Sequence, residues 1–268
     1  MYNQGMNSQP PITSPQNSQI QLVRKLLNQP KARQKEGAFV AEGVRLLEDG
    51  LKSEFAVRAI LRKEHPSPRA LEFLAQIDPN LPITSVQDKL FESLSDTDNP
   101  QGVLAVFEFR ILPLPQKPSF LVVLDQLRDP GNMGTILRSA EAAGVEGVLL
   151  PVGNTDPFAP KVVRAGMGAH FRLPILQLPW DGISSLTQGL EVFHADMDGV
   201  QSCWKADFRS PLALLIGGEA AGISPEGRRL LTSSVRIPMR GQTESLNAGV
   251  SASVLMFEVM RQRQQDQA

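Results

Sequence analysis

The chain is poor in cysteine, in histidine and in long apolar runs, and each shortage excludes a class of protein. Cys203 is the only cysteine, which excludes a disulfide framework and a cysteine-based zinc site. His65, His170 and His194 are scattered, with no carboxylate cluster at ligand spacing, so we predict no metal site. No apolar run approaches the ~18 residues of a membrane span. A single free thiol suits a reducing compartment, and we expect a cytoplasmic protein.

An overall excess of positive charge is also missing. The 27 Lys and Arg residues are balanced by 28 Asp and Glu, which by itself does not favour a nucleic-acid-binding protein. Locally the balance differs, because residues 20–35 contain no acidic residue. The five cations of that segment form either a solvated helix face or a phosphate-binding patch that Arg45 extends: Arg24, Lys25, Lys31, Arg33 and Lys35.

Sequence patterns divide the chain into four parts. Residues 1–15 are rich in Asn, Gln, Ser and Pro without a basic start or an apolar core, which predicts a disordered tail rather than a signal peptide. Short strands alternate with helices in residues 16–109, which predicts a small α/β domain. Prolines interrupt residues 110–118, a semi-rigid linker. Residues 119–268 contain continuous apolar runs, typical of parallel strands buried on both faces.

Two common enzyme fingerprints are missing from this last part. The loop after its first strand, residues 125–134, lacks a G-x-G-x-x-G turn, which argues against an ordinary dinucleotide site. A glycine-rich turn comes late instead, as Gly217, Gly218 and Glu219 after the apolar run 212–216. No G-x-S-x-G occurs, so a hydrolase nucleophile elbow is excluded.

The most informative stretch is residues 235–263. A short apolar run ends at Pro238, which predicts a buried strand entering a loop. Asn247 is a suitable N-cap for a helix whose apolar residues recur at three- and four-residue steps: Val250, Val254, Phe257 and Met260. Taken alone, this is a core helix with a polar cap. The small residues beside the cap would let another backbone or a ligand approach closely.

Three motifs carry a specific resemblance. The string IPMRGQTESLNAGVSAS, residues 237–253, resembles the third motif of the SpoU-type RNA 2′-O-methyltransferases, a branch of the SPOUT superfamily. The first and second motifs match in order at residues 125–144, which contain NMGTILR, and at residues 215–225. In addition, NQPKARQKEGAFVAEGVRLLEDGL is similar to the small substrate-binding domain, related to ribosomal protein L30e, that precedes the catalytic domain in many of these enzymes.

The resemblance implies a fold and a cofactor. The expected fold is α/β, with a small L30e-like domain followed by a parallel-sheet SPOUT domain that contains a deep trefoil knot. The expected methyl donor is S-adenosylmethionine, and six positions match the donor-binding residues of the family: Leu215, Gly217, Ile237, Met239, Leu246 and Asn247. Apolar side chains at Ile237, Met239 and Leu246 are suited to enclose adenine.

The resemblance also implies the catalytic residues Asn132, Arg138, Glu219, Ser245 and Asn247. In the family the arginine that matches Arg138 is tied to activating the ribose 2′-hydroxyl. Arginine is a poor base because it keeps its proton at ordinary pH, so two roles stay open. Arg138 either loses a proton with help from an RNA phosphate, or clamps phosphate and ribose and acts electrostatically. Without the resemblance, Asn132 would be an N-cap and Arg138 a surface charge.

The expected partners are RNA and a second copy of the chain, and no membrane. Family members with the added domain usually act on ribosomal RNA, so the expected substrate is ribosomal RNA, most of all that of the large subunit. Transfer RNA, or a non-catalytic RNA-binding role in ribosome assembly, is the alternative. The homodimer would form through the C-terminal knot region. The predicted RNA-binding residues are Lys25, Lys31, Arg33, Lys35 and Arg45.

Overall fold

The structure is a computed structural model that describes residues 10–97, 99–218, 222–243 and 245–265. The chain divides into two compact units. The first consists of Met1–Arg110 and Phe158–Phe171, and the second of Ile111–Pro157 and Arg172–Ala268. No helix within the described ranges is long and apolar enough to cross a membrane.

The described residues form strands and helices that alternate along most of the chain. The strands are β1 (Ala38–Glu42), β2 (Val57–Lys63), β3 (Ile83–Val86), β4 (Val103–Glu108), β5 (Phe120–Asp125), β6 (Gly147–Leu150), β7 (Ile175–Gln177), β8 (Glu191–Ala195), β9 (Gln201–Ser202), β10 (Leu212–Gly217) and β11 (Ser233–Arg236). The helices are α1 (Ser18–Asn28), α2 (Pro30–Glu36), α3 (Val44–Lys52), α4 (Pro68–Leu74), α5 (Asp88–Glu92), α6 (Pro130–Ala142), α7 (Pro160–Gly166), α8 (Trp180–Leu186), α9 (Pro225–Leu230) and α10 (Ala248–Gln265), with a 3₁₀ turn at Ala169–Phe171.

The first unit is built on a four-stranded sheet in the order β1-β4-β2-β3. Strand β4 is antiparallel to both of its neighbours, whereas β2 and β3 are parallel. Helix α1 covers one face of the sheet, because Ile20, Val23 and Leu26 recur every three residues and are all buried in the core. The α/β character predicted for residues 16–109 is therefore present.

Residue 12 corrects the expectation of a disordered tail. Ile12 forms a parallel bridge with Val86 of β3. Its backbone N donates to the carbonyl O of Ser85 at 2.8 Å, and its carbonyl O accepts from the N of Gln87 at 3.0 Å. The polar composition of the segment concealed one apolar side chain that packs against the core. Residues 1–9 lie outside the described part of the chain.

Aromatic packing assigns residues 158–171 to the first unit. The ring of Phe39 in β1 lies 5.1 Å from the ring of Phe158 and 5.8 Å from that of Phe171. Phe107 in β4 also contacts Phe171, at 4.9 Å. The expected domain 119–268 therefore does not include this segment, whose phenylalanine rings pack beside Phe39 and Phe107.

The second unit has a seven-stranded sheet in the order β7-β6-β5-β10-β8-β11-β9. All of its strand pairs are parallel. The central strands β5 and β10 are buried along almost their whole length, which explains their continuous apolar sequences. Since the strands are parallel, their carboxyl ends meet at one edge of the sheet, the usual position of ligand sites in such folds.

Arg263 anchors the C-terminal end of helix α10 to the sheet. The guanidinium donates to the carbonyl O of Ser119 at 2.9 Å and to that of Ser210 at 2.8 Å. It also lies 5.2 Å from the centre of the Phe120 ring. Burial lowers the pKa of Arg263. One side chain thus fixes the end of α10 against the starts of β5 and β10.

Candidate active site

Residues from the first, second and third motifs meet at the carboxyl edge of the second sheet. Gly217 ends β10 and pairs with Asp125, the last residue of β5. Ile237 follows the end of β11, which is separated from β10 only by β8. Strands lie about 4.8 Å apart, so two spacings, or about 10 Å, separate Gly217 from Ile237. A ligand of nucleoside size spans that distance.

The backbone is unusually close-packed at the end of β10. A Cβ atom on Gly217 would lie 2.6 Å from the carbonyl carbon of Gly222, and one on Gly218 would lie 2.2 Å from the carbonyl O of Gln126. Two hydrogen bonds, from Gly218 N to Gly222 O at 3.0 Å and from Gly222 N to Gly218 O at 2.9 Å, close the loop between them. Glu219, predicted to be catalytic, lies within that loop and outside the described residues.

Asp125 is a site residue that sequence reasoning missed. Its carboxylate is buried and accepts a hydrogen bond of 2.6 Å from the backbone N of Ser224. That bond joins the end of β5 to the N-cap of α9, and so the first motif to the second. A carboxylate that directly follows a buried apolar strand was the available signal, because such a group needs hydrogen-bond partners.

Helix α6 places Asn132 and Arg138 on the same element. Asp129 caps the helix, its carboxylate accepting from the backbone N of Asn132 at 2.7 Å. Asn132 is therefore not the N-cap; it is buried in the first turn. Arg138 is exposed, and it makes no hydrogen bond or ion pair with any residue that the structure describes. Its guanidinium is available to a ligand.

Helix α10 begins at the predicted cap. The side-chain O of Asn247 accepts hydrogen bonds from the backbone N of Gly249 at 2.9 Å and of Val250 at 3.3 Å. The predicted N-cap role of Asn247 is therefore confirmed. Its side-chain amide NH₂ remains available on an exposed residue, next to the exposed Ser245.

Two contacts with the same offset hold α6 and α10 together. A Cβ atom on Gly249 would lie only 3.3 Å from the Cβ of Thr135. One turn further along both helices, the hydroxyls of Ser139 and Ser253 are 2.8 Å apart. From the first contact to the second, the residue number rises by four in both helices, so the helices run parallel from the same edge of the sheet. Arg138 lies one turn beyond Thr135 and next to Ser139. The packing of α6 against α10 therefore sets residues of the first motif beside residues of the third.

The predicted donor-binding residues fit S-adenosylmethionine. Ile237 and Leu246 are half-buried and Met239 is 39% exposed, so apolar surface is accessible in the segment between β11 and α10. Leu215 differs from the others, because its side chain is fully buried in the core. Its carbonyl O is hydrogen-bonded to Nδ1 of His194 at 3.0 Å. The side chain of Leu215 therefore belongs to the core of the second unit.

Arg33 corrects the predicted RNA-binding set. Its side chain is only 3% exposed. The guanidinium donates to the carbonyl O of Leu26 and, at 3.2 Å, to that of Leu27. Arg33 therefore caps the end of α1, where carbonyl groups lack helical partners. The side chains of the other four residues are exposed and form no hydrogen bond or ion pair with a described residue. We call these residues the N-terminal basic patch: Lys25, Lys31, Lys35 and Arg45.

Known protein families match both parts of the chain. A family model described as the SpoU rRNA Methylase family matches residues 119–257, and one described as an MRM3-like substrate binding domain matches residues 17–105. The 23S rRNA (uridine(2479)-2′-O)-methyltransferase of Streptomyces viridochromogenes is 33% identical over 94% of this chain and 92% of its own length. The 23S rRNA (guanosine(2553)-2′-O)-methyltransferase RlmP of Bacillus subtilis is 28% identical over 92% and 98%.

Solved structures agree with the sequences. The SpoU methyltransferase AviRb from Streptomyces viridochromogenes, in complex with the cofactor AdoMet, has a TM-score of 0.81 and 30% identity over 93% of this chain and 100% of that one. An AdoMet-bound rRNA methyltransferase from Sinorhizobium meliloti has a TM-score of 0.81 and 31% identity over 94% and 97%. The predicted fold, cofactor and reaction class are confirmed. The chain belongs to the SpoU rRNA methylase family.

Proposed function

We propose that the chain transfers a methyl group from S-adenosylmethionine to a ribose 2′-hydroxyl of large-subunit ribosomal RNA. The observation that supports this is the parallel packing of α6 against α10, because α6 carries Arg138 and α10 begins in the third motif. The named 23S rRNA enzymes match both the substrate-binding domain and the methylase domain over nearly their full lengths. That extent supports an RNA substrate of the same class.

The residues of the chain mainly position the reactants. S-adenosylmethionine supplies an electrophilic methyl group when it is bound. Ile237, Met239 and Leu246 would enclose its adenine, and the backbone groups of Gly218 and Gly222 would be accessible to it without intervening side chains. Holding the ribose hydroxyl in line with that methyl group accounts for much of the rate, because orientation removes an entropic barrier.

Arg138 acts as an electrostatic clamp in this proposal. No carboxylate or other group among the described residues is bonded to its guanidinium, which leaves its N–H donors able to bind an RNA phosphate. The positive charge and the planar set of N–H donors of the guanidinium suit a phosphate. They also stabilise the negative charge that develops on the ribose oxygen. The clamp therefore needs no proton loss from arginine.

A second copy of the chain packs against α10 in this proposal. Val250 is 46% exposed and Phe257 is 42% exposed, and the half-buried Val254 and Met260 lie on the same face. A stripe of four apolar side chains suits an interface better than open water. Light scattering at micromolar concentration should give twice the chain mass, and a single-chain mass would contradict the dimer.

The function is tested with RNA from cells that lack the protein. Tritiated S-adenosylmethionine should label large-subunit ribosomal RNA at a 2′-hydroxyl, and Arg138→Ala should abolish the label. Label in transfer RNA alone would refute the proposed substrate. If no RNA were labelled but the protein still bound RNA, the chain would be a non-catalytic RNA-binding protein and the proposed function would be refuted.

A further inference from the structure

A cleft of about 270 Å³ opens in the second unit beside the last turns of α10. The segment that follows β9 forms one wall and α10 the other. None of its lining residues belongs to the three motifs. One aromatic and three cationic side chains line it together with smaller or neutral groups and one carboxylate: Trp204, Lys205, Arg209, Arg261, Ala206, Gln262, Gln265 and Asp207.

Trp204 presents its ring to solvent while its backbone is fixed. The side chain is 51% exposed, although tryptophan burial normally contributes strongly to a core. Its backbone N donates to the hydroxyl of Ser202 at 3.2 Å. Next to it, Cys203 is fully buried, with its N bonded to the carbonyl O of Arg236 at 2.9 Å. The ring is therefore exposed although the backbone that carries it is held by hydrogen bonds.

The cations of the cleft are held in place. Nε and Nη2 of Arg209 donate to the two carboxylate oxygens of Asp207 at 2.8 and 2.9 Å. Arg261 donates to both oxygens of Glu258, at 2.7 and 2.6 Å, and to Gln265 at 2.9 Å. Lys205 is exposed, and its side chain forms no hydrogen bond or ion pair with a residue that the structure describes. Among the described residues, the guanidinium groups of Arg209 and Arg261 are each paired with a carboxylate, whereas the Lys205 ammonium is not.

The floor of the cleft is rigid. Gln262 is buried, its side-chain O accepting from the N of Phe208 at 2.8 Å and its amide donating to the carbonyl O of Ala206 at 3.0 Å. The same amide donates to the buried Glu258 at 2.8 Å. A site that is already ordered loses little conformational entropy when a ligand binds.

We propose that this cleft binds an unpaired nucleotide of the RNA substrate, with its base stacked on Trp204 and its phosphates on Lys205 and Arg209. The inference rests on the function proposed above. A flat aromatic ring with flanking cations is the combination by which proteins hold single-stranded RNA. A second protein chain fits less well, because Trp204 is the only large apolar side chain in the lining and protein interfaces have a more apolar centre.

The fluorescence of Trp204 tests this directly. The chain has two tryptophans, and Trp180 is half-buried against the core of the second unit. In Trp180→Phe, an oligouridylate of roughly ten nucleotides, within the site size of such surfaces, should quench the remaining fluorescence. In Trp204→Phe the same titration should leave the fluorescence unchanged. Equal quenching in both variants, or none in either, would overturn the proposal.

Binding of the natural RNA provides the second measurement. Trp204→Ala should weaken affinity about tenfold, consistent with the loss of one stacked base. The pair Lys205→Gln and Arg209→Gln should reduce the salt dependence of binding. Val200→Ala is the matched control, since Val200 is exposed near Trp204 but does not line the cleft. Binding of S-adenosylmethionine should be the same in all variants, which verifies folding.

Two results separate this inference from the function on which it rests. If the parent methylates RNA but Trp204→Ala binds that RNA with unchanged affinity, the cleft proposal fails and the enzyme stands. If the parent methylates no RNA, the proposed function fails. Quenching that grows with protein concentration in the absence of RNA would assign the cleft to a second copy of the chain and overturn the proposal.

Discussion

Ser139 donates a hydrogen bond to Ser253, and this bond sets α6 against α10. The hydroxyl oxygens are 2.8 Å apart. Ser253 uses its only proton on the carbonyl O of Gly249 at 2.6 Å, so Ser139 must be the donor of the pair. A bond of fixed direction between half-buried groups favours a single register of the two helices, and with it one position of Arg138 relative to Asn247.

Ser253→Ala should therefore lower catalytic rate more than cofactor affinity. Removing the acceptor leaves the Ser139 hydroxyl without its partner, at a cost of about 1 kcal/mol in unfolding free energy. We expect kcat to fall by roughly tenfold, since small displacements of reacting groups are costly, while KM for the donor changes little. Ser251→Ala, on the same helix, is the control. Equal effects of the two substitutions on kcat would contradict a positioning role.

Gly218→Ala should destabilise the second unit strongly. The new Cβ would lie 2.2 Å from the carbonyl O of Gln126, so the backbone must shift. Overpacking of this kind costs about 3 kcal/mol, and urea unfolding should show it. Gly241→Ala is the matched control, because a Cβ there meets nothing within 4 Å. Comparable midpoints for the two variants would show that the end of β10 tolerates a side chain.

Arg138→Ala should lower kcat by about a thousandfold, the effect of removing one donor that stabilises developing negative charge. Arg138→Lys should recover part of this loss, because a lysine keeps the charge but not the fork. Calorimetry should find S-adenosylmethionine binding unchanged in both. Arg228→Ala, an exposed cation on α9, is the control. If lysine recovered nothing, a purely electrostatic clamp would be excluded.

Charge removal from the N-terminal basic patch should weaken RNA binding and flatten its salt dependence. Each phosphate contact contributes about 0.7–0.9 to the slope, so changing all four residues to Gln should lower it by about 3. Arg33→Gln is the informative contrast. It should lower stability by about 2 kcal/mol, because the carbonyl groups of Leu26 and Leu27 lose a charged donor, and leave the salt slope unchanged.

Glu258 should make the protein sensitive to acid. Hydrogen bonds from Arg261 lower the pKa of Glu258 despite its burial, with a further contribution from Gln262. A carboxylate with a lowered pKa contributes stability above its unfolded value of about 4.3, and loses it as pH falls through the folded value. Thermal unfolding from pH 6 to pH 3 should therefore show a smaller pH-dependent loss in Glu258→Gln. An identical loss would place the acid-sensitive group elsewhere.

Local patterns predicted the cap at Asn247 and the motifs at the sheet edge, because caps and glycine turns depend on neighbouring residues. Residues whose environment is set by distant packing were not predictable. Charge spacing could not distinguish the buried Arg33 from the exposed Lys31, and nothing beside Phe158 indicates that it packs on Phe39. The apolar spacing of α10 was misleading in the same way, since its core residues are Ala252, Leu255, Met256 and Val259.

The anchorage of Arg263 on Ser119 has a consequence for synthesis of the chain. The two residues are 144 positions apart. At a synthesis rate of about 5–20 residues per second, roughly 7–29 s pass between them. β5 lacks β10 until residues 212–217 have been made, and it lacks the anchorage of α10 until Arg263 has left the ribosome, so the second unit can close only then. Its apolar central strand is meanwhile exposed, and this is when the newly made chain most needs a chaperone.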